Sequence, residues 1–577
     1  MANGRKVLVI GGVAAGPKVA ARLRRLDPEA EITIVEKGRF ISYSGCSLPY
    51  YVGGVVKEQK ELVATPAGVA RDPAFFQKVF NVNVLTGTEA LRVDRAGRRV
   101  EVRDAQGTRW LPYDVLVLAT GAKPSVPKLP GIELPNVFTL HRIEDAEGLK
   151  ACLSAGACPA GEGQPHYFEH PPPHRHAVVI GGGLIGVEAA EALAHIGCRV
   201  AVVEVLPQIL PMLDAEMARL VHLHMEAKGV RVLTGSTAKA IEGTERAEAV
   251  VVGEERLLAD AVVVAVGVRP NADLAREAGL ELGPTGGIKV DPSMRTSDPA
   301  IYAAGDCTED RHLVTGKPVF LSNGANANKK GRVAANAIAG RPDQFPGIVG
   351  SAVCKVFDLA VARTGLSERE ARSLGYEAET CTVPGPDKVH HYPGAKSLIL
   401  KLVADRTTRK LLGAQAVGPG DAARRIDVAA TALIAGMTVD QMANLDLCYA
   451  PPFSAAMDNV LVAANVLRNK LDGLMHGIGA AEVKARRDAG EDLVLLDVRT
   501  PAEHERVQLP GATLIPLGAL RQRAAELPRD KEIVPFCTIS LRGYAAERIL
   551  RALGFTRVRV LEGGLAAWPY EKATRQA

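Results

Sequence analysis

Two stretches of this chain repeat one order of elements, and the repeat limits the possible folds more than any other feature. In each stretch a short apolar run leads into a glycine-rich turn, an alanine- and leucine-rich segment and a second apolar run that ends at a glutamate. The apolar runs are 6–10 and 31–35 in the first stretch, and 177–180 and 199–203 in the second. A strand, a helix and a parallel strand joined in this way form the βαβ unit of dinucleotide-binding sheets.

The glycine turns predict what these units bind. Glycine lets the backbone turn tightly, so that N–H groups at the positive end of the following helix can approach a pyrophosphate. The glutamate after the second strand can accept hydrogen bonds from a ribose diol. The first turn departs from the full pattern because Val13 takes the place of the middle glycine. The residues predicted to bind the two nucleotides are Gly11, Gly16 and Glu36 in the first unit, and Gly181, Gly183, Gly186 and Glu204 in the second.

A third acid follows a later apolar run. Residues 301–304 are predicted to form a short strand, and Gly305 and Asp306 come directly after it. Ligands of such sheets bind at the carboxyl ends of the strands, so Asp306 is well placed to bind the ribityl chain of a flavin. An ordinary surface aspartate is the alternative.

Cys46 is a lone thiol shortly after the first unit. A dithiol enzyme has a second cysteine close by, but here the neighbouring positions hold residues such as Ser42 and Tyr50. Beside a flavin, a lone thiol cannot close an internal disulfide. Its oxidised state must be a sulfenic acid, a persulfide or a mixed disulfide with a small thiol.

The composition of the chain excludes several classes of function. A net charge of +5 on 70 basic and 65 acidic residues gives no reason to expect binding to nucleic acid or a membrane. Nine cysteines without a CxxC pair argue against a disulfide framework or a zinc site, and no metal ligand is assigned. Four histidines in the segment 156–176 are predicted to lie on a solvated loop.

Length and hydropathy set the domain count and the location. The 577 residues suffice for about three or four domains. The first residues lead directly into a strand, and no apolar run approaches the ~20 residues that span a bilayer. Both observations predict a cytoplasmic protein.

The second half of the chain has a different pattern. Residues 348–466 combine apolar strands (397–403 and 411–417) with two helices (422–435 and 454–466), which predicts an α+β dimerisation domain. A linker is predicted at 467–476. The last hundred residues or so form a small α/β domain, in which the strand 532–536 runs directly into the loop from Cys537 to Arg542, followed by a helix over 543–553.

Several motifs resemble the flavin-dependent pyridine nucleotide-disulfide oxidoreductases of the coenzyme A-disulfide reductase group. They are GGVAAG at 11–16, SYSGCSLPYYVGG at 42–54, ATGAKP at 119–124, IYAAGD at 301–306 and CYAPPFS at 448–454. The last hundred residues or so resemble a rhodanese domain through DVRTPAE at 497–503, PGA at 510–512, the cysteine loop and EGG at 562–564. The whole chain is therefore similar to coenzyme A-disulfide reductases with a rhodanese tail, some of which reduce persulfides or polysulfides.

The resemblance implies an α/β protein with two Rossmann-like nucleotide-binding domains, an α+β dimerisation domain and a rhodanese domain. We expect FAD to bind 1–120 with 258–335, and NAD(P)H to bind 121–257. Residues 336–466 would form the dimerisation domain and 477–577 the rhodanese domain. NADH is favoured over NADPH because Glu204 would repel a 2′-phosphate and the next residues include no arginine.

The resemblance also implies roles for single residues. Cys46 would face the flavin and form an S–S bond with the substrate, its thiol pKa lowered by a helix N-terminus or a positive charge. Tyr392 and Tyr449 would reach the site from the partner subunit of a homodimer and donate a proton, unless they only pack at the interface. Cys537 would carry or generate sulfane sulfur, and Arg542 would add positive charge to its loop. Coenzyme A would bind Lys18, Arg22, Arg25 and Ser42, the alternative for the cations being a solvated helix face.

The function predicted from these features is NADH-dependent reduction of the S–S bond of coenzyme A persulfide, polysulfide or coenzyme A disulfide. One alternative is an NADH oxidase or peroxidase that cycles Cys46 through a sulfenic acid. The other is a persulfide carrier or redox sensor in which Cys537 relays sulfur. The partners expected are small sulfur compounds and coenzyme A.

Overall fold

The computed structural model describes residues 4–154 and 175–574. The predicted histidine-rich loop at 156–176 lies outside the described residues except for its last two. The chain divides into two compact units, the first formed by 1–207 and 229–348 and the second by 208–228 and 349–577. Across the described ranges, no helix is both long and apolar enough to cross a bilayer.

The first unit contains two parallel five-stranded sheets, as the repeated βαβ pattern predicts. The first has the strand order Ile301–Ala303, Val115–Leu118, Lys6–Ile10, Glu31–Val35 and Asn83–Leu85. The second has the order Arg231–Thr234, Arg199–Glu204, His176–Ile180, Ala261–Val264 and Val137–Phe138. Since neighbouring strands are parallel, their carboxyl ends meet at one edge of each sheet, where both glycine turns lie.

Helices and small antiparallel sheets surround these two sheets. The helices are Ala15–Arg24, Leu48–Val52, Gln59–Val63, Pro73–Phe80, Ile143–Ser154, Leu184–His195, Asp273–Glu277 and Gly324–Ile338. Three-stranded antiparallel sheets form from Glu89–Asp94, Arg99–Asp104 and Gly107–Pro112, and from Ala238–Glu242, Ala249–Val252 and Glu255–Leu258. Two-stranded pairs form from Ala122–Pro124 with Val268–Pro270 and from Asp310–Arg311 with Pro318–Val319.

The second unit begins with a five-stranded antiparallel sheet. Its strands, in spatial order, are Ala352–Val356, Leu359–Gly365, Leu411–Gly418, Ser397–Asp405 and Ala378–Pro386. The helices of this part are Ala215–Ala227, Glu368–Ser373, Ala422–Ile434, Val439–Met442 and Asn459–Leu471. The last helix begins five residues later than predicted because Asp458, not Ser454, caps it by accepting a hydrogen bond from the N–H of Val460.

The predicted linker is wrong over its first half. The helix Asn459–Leu471 continues through it, and the Lys470 side chain is only 8% exposed. The chain leaves the helix at Asp472 and enters the last domain through the strand Gly477–Ile478.

The last domain is built around a three-stranded parallel sheet in the order Thr513–Leu514, Leu493–Asp497 and Glu532–Phe536. Further strand pairs are Gly477–Ile478 with Val560–Leu561 and Val507–Gln508 with Ala573–Thr574. Its helices are Ala480–Asp488, Pro501–Arg506, Leu520–Arg523 and Leu541–Ala552. The last of these begins two residues earlier than predicted, so Arg542 lies in its first turn. The mixed α/β fold class is confirmed.

A buried lysine fixes the segment 208–228 to the second unit. The Nζ atom of Lys401 lies 3.0 Å from Asp214, 2.5 Å from Glu216 and 2.8 Å from Glu368. The three carboxylates are close enough together to bind a cation, and the lysine ammonium occupies that position. The cluster is therefore an ion-pair network that stabilises the fold.

Candidate active site

The first glycine turn requires its glycines for packing. Gly11 has a φ of 111°, and a Cβ atom there would lie 2.1 Å from the carbonyl oxygen of Ala119. A Cβ atom on Gly16 would lie 1.9 Å from the carbonyl oxygen of Gly11. Any larger residue would push the helix Ala15–Arg24 away from the turn, so the cradle at the helix N-terminus depends on both.

Two predicted acids border this cradle. The Glu36 carboxylate accepts hydrogen bonds from the N–H groups of Gly12 at 2.6 Å and Gly38 at 2.7 Å. Asp306 accepts from the Ser322 hydroxyl at 2.6 Å and from the N–H of Asn323 at 3.2 Å. A carboxylate has about four lone-pair sites, so each acid retains the capacity to accept a ribose or ribityl hydroxyl.

The second turn has the same construction. Gly181 has a φ of 109°, and a Cβ atom on Gly186 would lie 1.9 Å from the carbonyl oxygen of Gly181. Glu204 is 6% exposed and accepts from the N–H groups of Gly182 at 2.6 Å and Leu206 at 2.8 Å. A Cβ atom on Gly183 would meet no atom within 4 Å. Protein packing therefore does not require glycine at 183, and the role predicted for Gly183 in binding a nucleotide stays a prediction.

The Cys46 segment lies against the first turn. The N–H of Ser42 donates to the carbonyl oxygen of Gly12 at 2.8 Å, and Ser42 has a φ of 53°. Cys46 is part of a single 3₁₀ turn, Gly45–Ser47, that leads into the helix Leu48–Val52. The residue is exposed. The fold therefore brings the lone thiol to the edge where the first nucleotide is predicted to bind.

The expectation of a lowered thiol pKa for Cys46 is wrong in this structure. Although part of the residue is exposed, the protein atoms around the sulfur desolvate the thiolate and raise its pKa, and the negative charges of Glu188 and Asp306 raise it further. A hydrogen bond from the backbone of Cys46 itself lowers the thiol pKa, with a smaller effect. Desolvation, with the two acids, thus outweighs this hydrogen bond and raises the thiol pKa.

Glu188 was not predicted from the sequence. It lies on the helix Leu184–His195, two residues after the last glycine of the second turn, and burial raises its pKa to about 7. Its carboxyl oxygen Oε1 accepts from the Tyr50 hydroxyl at 3.3 Å. A Cβ atom on Gly53 would lie 3.1 Å from the Cα of Ala192, so this helix packs closely on the Cys46 segment. Both glycine turns therefore converge on one thiol.

The cations predicted to bind coenzyme A differ in their surroundings. Lys18 is exposed, whereas the Nε of Arg22 donates to Asn336 at 2.9 Å. Arg25 lies just beyond the end of the helix and its guanidinium is 5.6 Å from the Phe80 ring centroid. Arg71, which was not predicted, donates to the carbonyl oxygen of Ser42 at 3.0 Å. Its position in a loop gave no periodic signal in the sequence.

Tyr392 and Tyr449 both lie in the second unit. Tyr392 is 37% exposed and lies between the strands Ala378–Pro386 and Ser397–Asp405. Tyr449 is 54% exposed and borders a cavity of about 420 Å³, which Phe453 and Cys448 also line. Both phenols are thus accessible for contact with another molecule.

The backbone of the Cys537 loop packs closely against a glycine. Cys537 is 1% exposed, and a Cβ atom on Gly564 would lie 2.3 Å from its carbonyl oxygen. This close contact explains the EGG motif at 562–564. Arg542, expected to add positive charge to the loop, also donates two hydrogen bonds to Glu503, at 2.8 and 2.6 Å. The pairing of Arg542 with Glu503 was not predicted from the sequence.

The other described cysteines fit a structural role with one exception. Cys198, Cys307, Cys354 and Cys381 are buried, and Cys152 is half-buried. Cys448 is exposed.

Comparison with known proteins agrees with this arrangement. Residues 5–338 match the pyridine nucleotide-disulphide oxidoreductase family, residues 351–461 match its dimerisation domain, and residues 479–571 match the rhodanese-like domain. The chain is 36% identical over 465 residues to a Pyrococcus horikoshii protein named NAD(P)H coenzyme A polysulfide/persulfide reductase, an alignment that covers 80% of this chain and 98% of the relative.

Two solved structures are similar over almost the full length. An NAD-dependent persulfide reductase from A. fulgidus is 45% identical with a TM-score of 0.91, covering 98% of this chain and 100% of that one. Reduced CoADR-RHD from Bacillus anthracis is 37% identical with a TM-score of 0.89, covering 98% of each chain.

Proposed function

Because the chain belongs to the pyridine nucleotide-disulphide oxidoreductase family, we propose that it reduces the S–S bond of coenzyme A persulfide, polysulfide or coenzyme A disulfide with electrons from NADH. One observation carries this proposal: an accessible lone thiol, Cys46, lies where both glycine turns converge, and a second cysteine loop is present on the same chain. A lone thiol requires a partner sulfur from the substrate.

The residues of the first turn fit FAD. Gly11 and Gly16 shape the cradle for its pyrophosphate, and Glu36 and Asp306 offer free acceptor capacity for its hydroxyl groups. FAD, when bound, supplies two-electron transfer between a nicotinamide and a sulfur centre. The second turn fits NADH, whose ribose diol Glu204 can bind; the buried carboxylate at this position would repel a 2′-phosphate.

Cys46 performs the sulfur chemistry. Its thiolate attacks one sulfur of the substrate, the S–S bond of the substrate breaks, and the departing sulfur leaves as a thiolate or hydrosulfide with the electron pair. Two electrons that originate from NADH then return Cys46 to its thiolate form and release the bound thiol. Tyr392 or Tyr449 from the partner of a homodimer donates a proton to the departing thiolate.

The charges around the Cys46 segment support coenzyme A as the carrier. Lys18, Arg22, Arg25 and Arg71 surround the N-terminal helix and Ser42, and coenzyme A is a polyanion that needs such cations. The dimerisation domain supports a homodimer. In the division predicted from the sequence, the four domains then serve FAD binding, NADH binding, dimerisation and sulfur transfer, respectively.

Steady-state NADH consumption tests the proposal. Wild type should consume NADH with coenzyme A disulfide and persulfide, and Cys46→Ser should lose this activity by at least about 10³-fold, as expected for a removed nucleophile. Cys537→Ala should keep turnover of coenzyme A disulfide, which contains no sulfane sulfur. Full turnover by Cys46→Ser with every sulfur substrate would disprove the mechanism, and turnover that depends only on peroxide would favour an NADH peroxidase.

A further inference from the structure

The arginine of the rhodanese cysteine loop is neutralised by a carboxylate. The two Nη atoms of Arg542 donate to the two oxygens of Glu503 at 2.8 and 2.6 Å. The side chains of Glu503 and Arg542 are 25% and 34% exposed. Arg542 also interacts with Cys537, and so it is the cation beside the thiol. An incoming anion therefore meets an ion pair of zero net charge in place of a free guanidinium.

Glu503 is held rigidly in this position. It accepts from the N–H and the hydroxyl of Thr500, at 3.1 and 3.0 Å, in a capping box at the start of the helix Pro501–Arg506. The hydroxyl of Thr538, in the cysteine loop itself, lies 3.4 Å from its second oxygen. On the same helix, His504 bonds to the fully buried Asp497 at 2.8 Å. Glu503 is thus a fixed part of the loop and does not swing freely at the surface.

Two of the exposed side chains of the loop are apolar. Leu541 is 70% exposed and Ile539 is 43% exposed. The hydroxyl of Ser540, between them, turns away and donates to the carbonyl oxygen of Leu561 at 2.9 Å. The loop that begins at Cys537 therefore carries two exposed aliphatic side chains as well as the arginine of a neutral ion pair.

On the basis of the proposed function, we propose that Cys537 exchanges sulfane sulfur with organic persulfides. In these persulfides the sulfur is carried at the end of an uncharged arm, such as the pantetheine end of coenzyme A. Glu503 is the residue that discriminates against small sulfur dianions such as thiosulfate. A dianion needs an unpaired cation at the thiolate, whereas an organic persulfide brings at most one negative charge and an arm that can cover Leu541 and Ile539.

The transfer balances without a further reactant. The Cys537 thiolate attacks the outer sulfur of R–S–SH, the S–S bond breaks, and R–S⁻ leaves with the electron pair. Cys537 now carries the outer sulfur as a persulfide, in which that sulfur is bonded to Sγ. An acceptor nucleophile, either a second thiolate or cyanide, attacks that sulfur and restores the Cys537 thiolate.

The test measures sulfur transfer to cyanide by the full-length holoenzyme without NADH, so that Cys46 does not turn over. Pantetheine persulfide and thiosulfate are the donors, and thiocyanate is the product. Wild type should have a kcat/KM at least about 100-fold higher for pantetheine persulfide. Glu503→Gln, which removes the charge at nearly constant shape, should raise the ratio of thiosulfate to persulfide kcat/KM about tenfold.

Two further variants make the result decisive. Glu505→Gln changes an exposed acid of the same helix and should leave the ratio as in wild type. Leu541→Ser, at an exposed position, should lower kcat/KM for pantetheine persulfide about fivefold by removing apolar contact. A wild type that prefers thiosulfate, or a Glu503→Gln ratio equal to that of wild type, overturns the proposal. NADH-dependent reduction of coenzyme A disulfide, measured in parallel, reports the proposed function separately because it does not use Cys537.

Discussion

Lys470, near the end of the helix Asn459–Leu471, forms an ion pair with Glu562, the residue that precedes the two glycines beneath the Cys537 loop. Their side chains are 8% and 7% exposed. Lys470 also lies 2.8 Å from Glu379 and donates to the carbonyl oxygen of Thr380 at 2.5 Å. One buried ammonium therefore connects the helix that ends the dimerisation domain to the support of the rhodanese loop.

Replacing Lys470 should destabilise the protein strongly. Lys470→Met leaves the buried carboxylate of Glu562 without its lysine counter-charge, whereas Glu379 keeps its ion pair with Arg406. Removing one partner of a buried pair costs about 3–5 kcal/mol. Scanning calorimetry should show a clear drop in the lowest unfolding transition. Lys484→Met breaks an exposed pair with Asp488 and should change the transition little. Equal transitions for the two variants would contradict the structural role of Lys470.

Glu188 should control the reactivity of Cys46 above neutral pH. Its pKa is about 7, so it is ionised at pH 8, and its charge then raises the thiol pKa. Glu188→Gln removes that charge, and more of the thiol is ionised at pH 8. Iodoacetamide should therefore alkylate Cys46 in the variant a few-fold faster at pH 8. Below about pH 6 the two rates should converge, because wild-type Glu188 is then protonated.

An acid elsewhere in the same compact unit provides the control for this measurement. Glu254 is exposed and lies between the strands Ala249–Val252 and Glu255–Leu258. Glu254→Gln should alkylate like wild type at pH 8. If Glu188→Gln also behaves like wild type, the charge of Glu188 does not reach the sulfur in the holoenzyme.

Glu204 should determine the choice between NADH and NADPH. The charge of its carboxylate would repel a 2′-phosphate, so Glu204→Gln should raise the kcat/KM ratio of NADPH to NADH about tenfold. The ratio is measured with coenzyme A disulfide as acceptor. Glu254→Gln, an exposed acid of the same unit, serves as the control. If the variant loses NADH activity with no gain for NADPH, Glu204 does not select the cofactor. Its role is then only to stabilise the turn through its hydrogen bonds to Gly182 and Leu206.

Mixed dimers should show whether Tyr449 acts across the interface. Tyr449→Phe should reduce turnover about 10²-fold or more if the phenol donates a proton. Subunits of Tyr449→Phe and Cys46→Ser, mixed after dissociation, should recover about a quarter of wild-type activity, because half of the dimers hold one site with both native residues. Activity that stays at the level of the two variants would place Tyr449 in the same subunit as its Cys46, or outside the reaction.

The local pattern of the sequence was sufficient to predict most of the fold. The strands of both βαβ units and the strand before Cys537 lie where the apolar runs predicted them. The helix Asn459–Leu471 begins five residues later than predicted, because Asp458 caps it by accepting a hydrogen bond from the N–H of Val460. Such boundaries depend on which side chain meets the free N–H groups, and that is a matter of tertiary context.

By itself, then, the sequence determined the chemistry present: the glycines that a tight turn requires, the lone Cys46 and the cysteine loop at Cys537. Only the tertiary structure decided which charges act on each of these groups. Glu188, on the helix of the second βαβ unit, raises the thiol pKa of Cys46. Glu503 neutralises Arg542, although the two residues are 39 positions apart in the chain. Electrostatic interaction depends on distance in space and on burial, and neither can be read from spacing along the chain.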